Sequence, residues 1–243
     1  SKNFRSIRVI DSKTIQETAS RNVTELLQLV SGLDIRRRGV SGTQAHLYIR
    51  GRGFDQTLLL IDGMKMDDIQ TGHHTLNLLL PVQLIERIEI IKGPAARIFG
   101  QNAFSGAINI ITKPLKKSDN KVVEIYANDI SYGSYDQFNY SIKMRTSIED
   151  KFNSLISFHK AKSNGYRYNT DFKNDFIYMK NNIKSKNGFI DIISGFSEKK
   201  FGANGFYASP AAIDQYEETQ SSFFGVSTKF KKEKLVVKPK LYW

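Results

Sequence analysis

The residues able to do chemistry in this 243-residue chain are few, and their spacing is poor for catalysis. There is no cysteine, so disulfides, thiolate metal sites and a thiol nucleophile are excluded. His73-His74 is an adjacent pair in a loop-like stretch. Two metal-binding histidines on a helix stand four apart and keep an acidic companion, so this pair reads as exposed or ligand-contacting. Asp67-Asp68, Asp171 and Asp175 offer hard oxygen ligands for calcium, but none sits in an EF-hand pattern, and solvated loop acids are the default. Arg50-Gly51-Arg52-Gly53 lacks both the Lys-Ser/Thr ending of a phosphate loop and the spacing of a dinucleotide loop. No Gly-x-Ser-x-Gly elbow or His-Glu-x-x-His pair occurs. No catalytic residue, metal site or cofactor is therefore expected.

The formal charge of +12 points to an anionic partner or surface. The dense basic runs are Arg36-Arg37-Arg38 and Lys229 to Lys234. A nucleic-acid binder would interleave basic and aromatic residues on one face. Lys229 to Lys234 reads better as a turn between strands, and no nucleic-acid partner is expected. No stretch reaches the roughly 20 apolar residues of a membrane helix. Barrel strands, which carry only a weak alternating signal, remain open.

The elements that would position these residues change character midway. Up to Pro114, short strands and helices alternate. Strands are expected at Ser6 to Ile10, Leu33 to Arg36, Ala45 to Arg50, Thr57 to Ile61, Arg87 to Lys92 and Ala107 to Thr112. A short helix follows Asp11-Ser12, and Asn22-Val23-Thr24-Glu25 resembles a capping box opening a second. Leu76 to Leu80 suggests a helical turn, and Pro94 a helix ending at Gly100.

After Pro114 helical periodicity fades. From Gln137 to Ile148, Phe138, Tyr140, Ile142 and Met144 alternate with Asn139, Ser141, Lys143 and Arg145. Noisier segments recur at 121–131, 152–161, 175–184, 188–198, 222–230 and 234–243. Short polar breaks alternate with long ones at 164–174 and 202–219, as in outer-membrane barrels. A soluble β-sandwich gives a similar alternation, so a β-rich adhesin or binding module competes at this point.

Four phrases decide between them. In order they are Ile49-Arg50-Gly51, Leu59-Leu60-Ile61-Asp62-Gly63, Arg87 to Pro94 (RIEIIKGP), and Gly106 to Lys113 (GAINIITK). Ile98 to Ala103 lies between the last two. Together they resemble the plug of TonB-dependent outer-membrane receptors, from Phe4 to Pro114, and within that family the cobalamin receptors. The resemblance implies an α/β plug over 1–115 and, over 116–243, the N-terminal antiparallel strands of a truncated membrane β-barrel. A full barrel has about 22 strands, and the residues after Pro114 suffice for about six or seven. The TonB-contacting segment is expected before Phe4 and the remaining strands beyond Trp243.

The same resemblance implies function. A receptor of this kind sits in the outer membrane of a Gram-negative cell as a monomer among outer-membrane lipid. It captures a scarce small-molecule nutrient, cobalamin-like, and imports it with the TonB energy-coupling complex. Siderophore, haem or glycan uptake is the alternative within the family. Carried over to this chain, the substrate-facing loops are 38–45 and 64–72, with Arg38, Gln44, Ala45, Met66 and Gly72 as candidate contacts. Arg50 and Lys92 would lock plug to barrel by facing acidic residues of its wall. On this reading the 243 residues alone do not transport, because an open sheet leaves an unpaired edge in the bilayer.

Overall fold

The structure is a computed structural model. It describes residues 6–18, 20, 22–39, 43–66, 68, 71–78, 80–93, 102–149, 151–186, 188–207, 209–232 and 235–243. The chain divides into two compact units: Ser1–Arg38 with Thr43–Pro114, and Leu115–Trp243 with Gly39–Gly42.

The first unit opens with β1 (Ser6–Asp11), α1 (Ser12–Glu17) and α2 (Val23–Gln28). Both helices start on a side-chain cap. Asp11 accepts from the Thr14 amide at 2.9 Å, and Asn22 from the Glu25 amide at 2.9 Å. The reciprocal arm of the capping box runs side chain to side chain, from Asn22 Nδ2 to Glu25 Oε1 at 3.3 Å. α2 buries Val23, Leu26 and Leu27, the stripe its spacing requires.

Next come β2 (Leu33–Arg37), β3 (Ala45–Ile49), β4 (Thr57–Ile61), β5 (Met64–Met66), β6 (Ile85–Lys92) and β7 (Gly106–Thr112). β2 and β3 pair as an antiparallel hairpin. The other strands form a five-stranded sheet in the order β1-β6-β7-β4-β5, with β4 and β7 parallel. β7 lies between two neighbours and buries both faces, which is why it reads as a continuous apolar run rather than an alternating one.

The β4–β5 connection explains two of the sequence phrases at once. Ile61 pairs with Met64, so Asp62-Gly63 is a two-residue turn with both φ positive, at 50° and 73°. The Asp62 carboxylate accepts from the Thr112 amide at 2.9 Å and the Thr112 hydroxyl at 2.6 Å. Asn109 Oδ1 accepts from the Gly63 amide at 2.9 Å. The turn of one phrase is thereby tied to the end of the other.

Two sequence expectations differ here. Leu76 to Leu80 forms no helix among the described residues. The helical turn comes after Pro81, at Val82–Leu84, closed by the Leu84 amide on the Pro81 carbonyl at 2.9 Å. Proline disfavours helix in the residue before it and suits the first turn after it. The helix expected from Pro94 to Gly100 lies outside the described residues.

The second unit is an antiparallel meander of β8 (Val122–Gly133), β9 (Gln137–Ile148), β10 (Phe152–Ser163), β11 (Phe172–Ser185), β12 (Gly188–Gly202), β13 (Tyr216–Lys232) and β14 (Leu235–Val237), with β15 (Lys240–Tyr242) also on β13. β8 to β13 are each 12–17 residues long, above the roughly 9–11 needed to cross a bilayer. Lys229 to Lys232, expected as a turn, continue β13. The single strand expected at 234–243 divides around Pro239, which lacks the amide a ladder needs.

The polarity of this sheet settles its surroundings. On β9, Lys143 and Arg145 are buried, at 9% and 8% exposure, with Ser141 and Ser147 beside them. Ile142 and Met144, between them, are exposed at 43% and 36%. The pattern continues across the sheet: Asn153, Ser157, Asn174, Lys180 and Ser197 are buried, while Ile177 and Phe196 are exposed. A soluble sandwich buries its apolar face. A membrane barrel turns that face to lipid and keeps the polar one inside.

Candidate functional site

The β2–β3 hairpin and the segment after β5 meet at one end of the first unit. The Arg38 amide donates to the Gln44 carbonyl at 2.9 Å, which closes the hairpin end. Arg38 is exposed and Gln44 half-buried. Ala45, buried at the start of β3, lines a small cleft with Leu47, Phe54, Gly72, Thr75 and Leu76. Two of the five candidate contacts, Ala45 and Gly72, are therefore brought to one cleft. Met66 pairs with Leu59, which also lines it, and stays half-buried outside it. Gly72 has a φ of 75°, a conformation that glycine adopts without strain.

Beside this cleft is a cluster that sequence reasoning missed. His46 is 5% exposed and stacks on Phe54, with ring centroids 4.3 Å apart and planes 13° apart. Its Nε2 lies 2.8 Å from Nδ1 of His73. Tyr48 meets Phe54 edge-on at 6.4 Å. Burial pushes the His46 imidazole below its ordinary range, and His73, Arg38 and His74 add to that shift by their charge. Asp68 orders the segment carrying His73: its carboxylate accepts from the Thr71 hydroxyl at 2.8 Å and the His74 amide at 3.1 Å. The His46–His73 bond joins residues 27 apart. The one sequence signal for it was the polar pair His46 and Tyr48 on the second face of a strand whose first face is Ala45, Leu47 and Ile49.

Lys92 ends β6, and its Nζ donates to the Ser31 carbonyl. Burial lowers its ammonium from the ordinary lysine range, with Arg8 and then Arg50 contributing by like charge. Arg50, at a φ of 52°, leaves β3 exposed. Arg8, Arg50 and Lys92 thus form a cationic group on one unit. The hairpin end offers stacking faces, imidazoles and backbone groups.

Residues 2–107 match the model of the TonB-dependent receptor plug domain. The chain carries a TonB-dependent receptor plug domain. Its second unit supplies antiparallel strands of the receptor barrel, and the protein is located in the outer membrane. The chain is similar to the vitamin B12 transporter BtuB of Vibrio vulnificus (strain CMCP6), at 34% identity over 125 residues, covering 50% of the chain and 20% of that protein. The BtuB of Vibrio cholerae serotype O1 (strain M66-2) is 29% identical over 160 residues, covering 66% of the chain and 25% of that protein. The chain therefore spans about a fifth to a quarter of the length of these relatives. Among solved structures, the ferric enterobactin receptor of Pseudomonas aeruginosa superposes with a TM-score of 0.71 at 17% identity, covering 100% of the chain and 41% of the receptor. The siderophore receptor PirA of Pseudomonas aeruginosa superposes with a TM-score of 0.70 at 18% identity, covering 97% and 39%. At such identities these two neighbours speak for the fold alone.

Proposed function

We propose that this receptor takes up cobalamin, or a chelate of similar size, across the outer membrane with energy from the TonB complex, and performs no chemistry on its cargo. The observation that carries the reading is the similarity to two vitamin B12 transporters, over 125 and 160 residues. Arg38, Gln44, Ala45, Met66 and Gly72 are the proposed plug contacts, together with His73 beside them. Short side chains and backbone groups at the cleft suit a large ligand whose polar periphery needs several hydrogen bonds.

Arg50 and Lys92 are proposed as the groups that hold plug to barrel. In support, half-buried Lys92 feels the like charges of Arg8 and Arg50 on its own unit, and a group of cations is stabilised by an anionic partner. The test is uptake of labelled cobalamin by intact cells with and without the full-length gene, in the presence and absence of TonB. Uptake that depends on both is expected. Unchanged cobalamin uptake, with loss of a ferric siderophore's uptake instead, would reassign the cargo and leave the transporter class in place.

A further inference from the structure

At the hairpin end one side-chain nitrogen is left over. His73 is fixed at three points. Its amide donates to the Thr71 hydroxyl at 3.3 Å, its Nδ1 lies 2.8 Å from Nε2 of His46, and its ring is tilted against Phe54 with centroids 5.2 Å apart. Among the described residues, nothing bonds its Nε2. The neighbouring His74 is different: its Nδ1 lies 2.9 Å from Nδ2 of Asn77, and its amide donates to Asp68. His74 serves the local fold, whereas His73 is oriented and keeps a nitrogen unspent. His73 is half-buried and follows Gly72, which lines the cleft with Ala45, Phe54 and Leu76.

The bond between His46 and His73 has two tautomeric forms. If His46 donates, Nε2 of His73 carries a proton and can only donate. If His73 donates from Nδ1, its Nε2 presents a bare lone pair. A metal selects the second form. An imidazole bound to a metal gives its far N–H to a nearby acceptor, which fixes the ring and raises its basicity. His46 supplies that acceptor from a position 5% exposed, stacked on Phe54 at 4.3 Å. The pair is not a resident site for a free ion. Its facing nitrogens are spent on one another, and among the described residues no group of three His, Asp or Glu side chains encloses one. A single lone pair instead suits one open position on a metal whose other positions are already filled.

We infer that Nε2 of His73 coordinates the cobalt of a corrinoid at an axial position held by an exchangeable water, with His46 as its positioning residue. The inference rests on the proposed cobalamin cargo. The step is a ligand exchange. A bond forms between Nε2 and Co(III), the bond from Co(III) to the water oxygen breaks, and the water leaves. A neutral imidazole replaces a neutral water, so charge and oxidation state are unchanged. The Nδ1 proton stays in the bond to His46 throughout. A corrinoid whose axial position is closed by cyanide lacks the exchangeable ligand. The site therefore separates two forms of one cargo that share the same periphery, which hydrogen bonds to that periphery do not.

The experiment is titration of the purified full-length receptor with aquocobalamin and with cyanocobalamin, reading affinity by equilibrium dialysis and coordination by visible absorption. Cyanocobalamin binding tests the cargo, and the spectrum of bound aquocobalamin tests the coordination. Both forms are expected to bind, with aquocobalamin taking the spectrum of its separately prepared imidazole adduct. His73→Ala is expected to erase that spectrum, and both His73→Ala and His46→Phe to lower the preference for aquocobalamin over cyanocobalamin by about tenfold or more. His74→Gln is expected to keep the spectrum. Heat-modifiable migration reports that each variant is folded, and His73→Gln serves the same criterion should His73→Ala not be. Bound aquocobalamin with an unchanged spectrum overturns the inference and leaves the cargo standing, as does an imidazole-type spectrum that persists without His73. Failure to bind cyanocobalamin overturns the cargo and the inference with it.

Discussion

Nε2 of His46 and Nδ1 of His73 stand 2.8 Å apart, so one imidazole donates a proton to the bare nitrogen of the other. The bond ties the β2–β3 hairpin to the segment that carries Gly72. It requires at least one neutral ring. His46 supplies it, because burial holds its imidazole neutral below the ordinary histidine value of 6.5. A depressed folded-state value means the unfolded chain binds the proton more readily. The stability from the neutral ring is full above pH 6.5 and is lost as pH falls through the lower folded-state value. Hydrogen exchange of the full-length receptor, corrected for intrinsic rates, is expected to show residues 44–49 and 71–77 losing protection on acidification. His46→Gln should flatten that dependence, and an unchanged pH profile in this variant would remove His46 as its origin.

Asp62 is the second point of attack. Its two carboxylate oxygens hold the amide and hydroxyl of Thr112, from a turn whose backbone already favours Asp, Asn or Gly. Asp62→Ala should destabilise the plug by about 2–4 kcal/mol, because two hydrogen bonds to a charged acceptor are lost and Thr112 is left buried. Thr112→Val should cost less, since one of the two bonds survives. Urea unfolding followed by a probe in the plug reads both.

Gly106 tests the close packing of the central strand. A Cβ there would lie 2.4 Å from the Ile91 carbonyl oxygen and 2.9 Å from Cδ1 of Ile49. One contact is backbone in a paired strand and cannot step aside. Gly106→Ala should therefore destabilise by about 1–3 kcal/mol through overpacking alone. A Gly106→Ala protein as stable as its parent, by the same urea titration, would show that β6 and β7 can separate.

The two long loops of the barrel unit are knitted to each other. Asn169 Nδ2 donates to the Ile213 and Gln215 carbonyls at 2.7 Å each, Asn204 Nδ2 to the Tyr168 carbonyl at 2.6 Å, and the Tyr168 hydroxyl to Asp214 at 2.7 Å. Asn169→Ala removes the hub of this network at a φ of 50°, where alanine is also strained. Limited proteolysis of intact cells is expected to cut within 203–215 faster in the variant. Equal cleavage rates would mean that the remaining bonds suffice.

Charge reversal at Lys92 addresses the plug's attachment. Lys92→Glu removes the cation that reaches the Ser31 carbonyl and places an anion between Arg8 and Arg50. If Arg50 and Lys92 face acidic wall residues, transport should fall more than surface binding of cargo. Parallel loss of both would instead indicate a folding defect.

Much of this was legible in the residues themselves. Ala107 to Thr112 reads as a continuous apolar strand, and Asp62-Gly63 as a turn pair closing one, because residue type alone favours each conformation. The alternation of Gln137 to Ile148 announced a two-faced strand but not which face meets solvent. Only the burial of Lys143 and Arg145 against the exposure of Ile142 and Met144 decides that. Lys229 to Lys232 misled because a charged run looks like a turn, whereas period two runs through it to Phe230. The His46–Phe54–His73 stack joins three separate segments, and only the polar pair His46 and Tyr48 on one strand face hints at the meeting.

The opposed polarity of the two units gives one polypeptide two folding programmes, each keyed to a different medium. The plug gathers Ile88, Ile90, Ile108 and Ile110 away from water and can begin to do so as soon as it is synthesised. The barrel strands gain nothing from water, since their apolar side finds its solvent only in lipid. During aqueous transit they are alternating, β-prone segments with open edges, the composition that aggregates. Residues 122–232 therefore find their stable surroundings only in lipid, whereas the plug's core is stabilised by water itself.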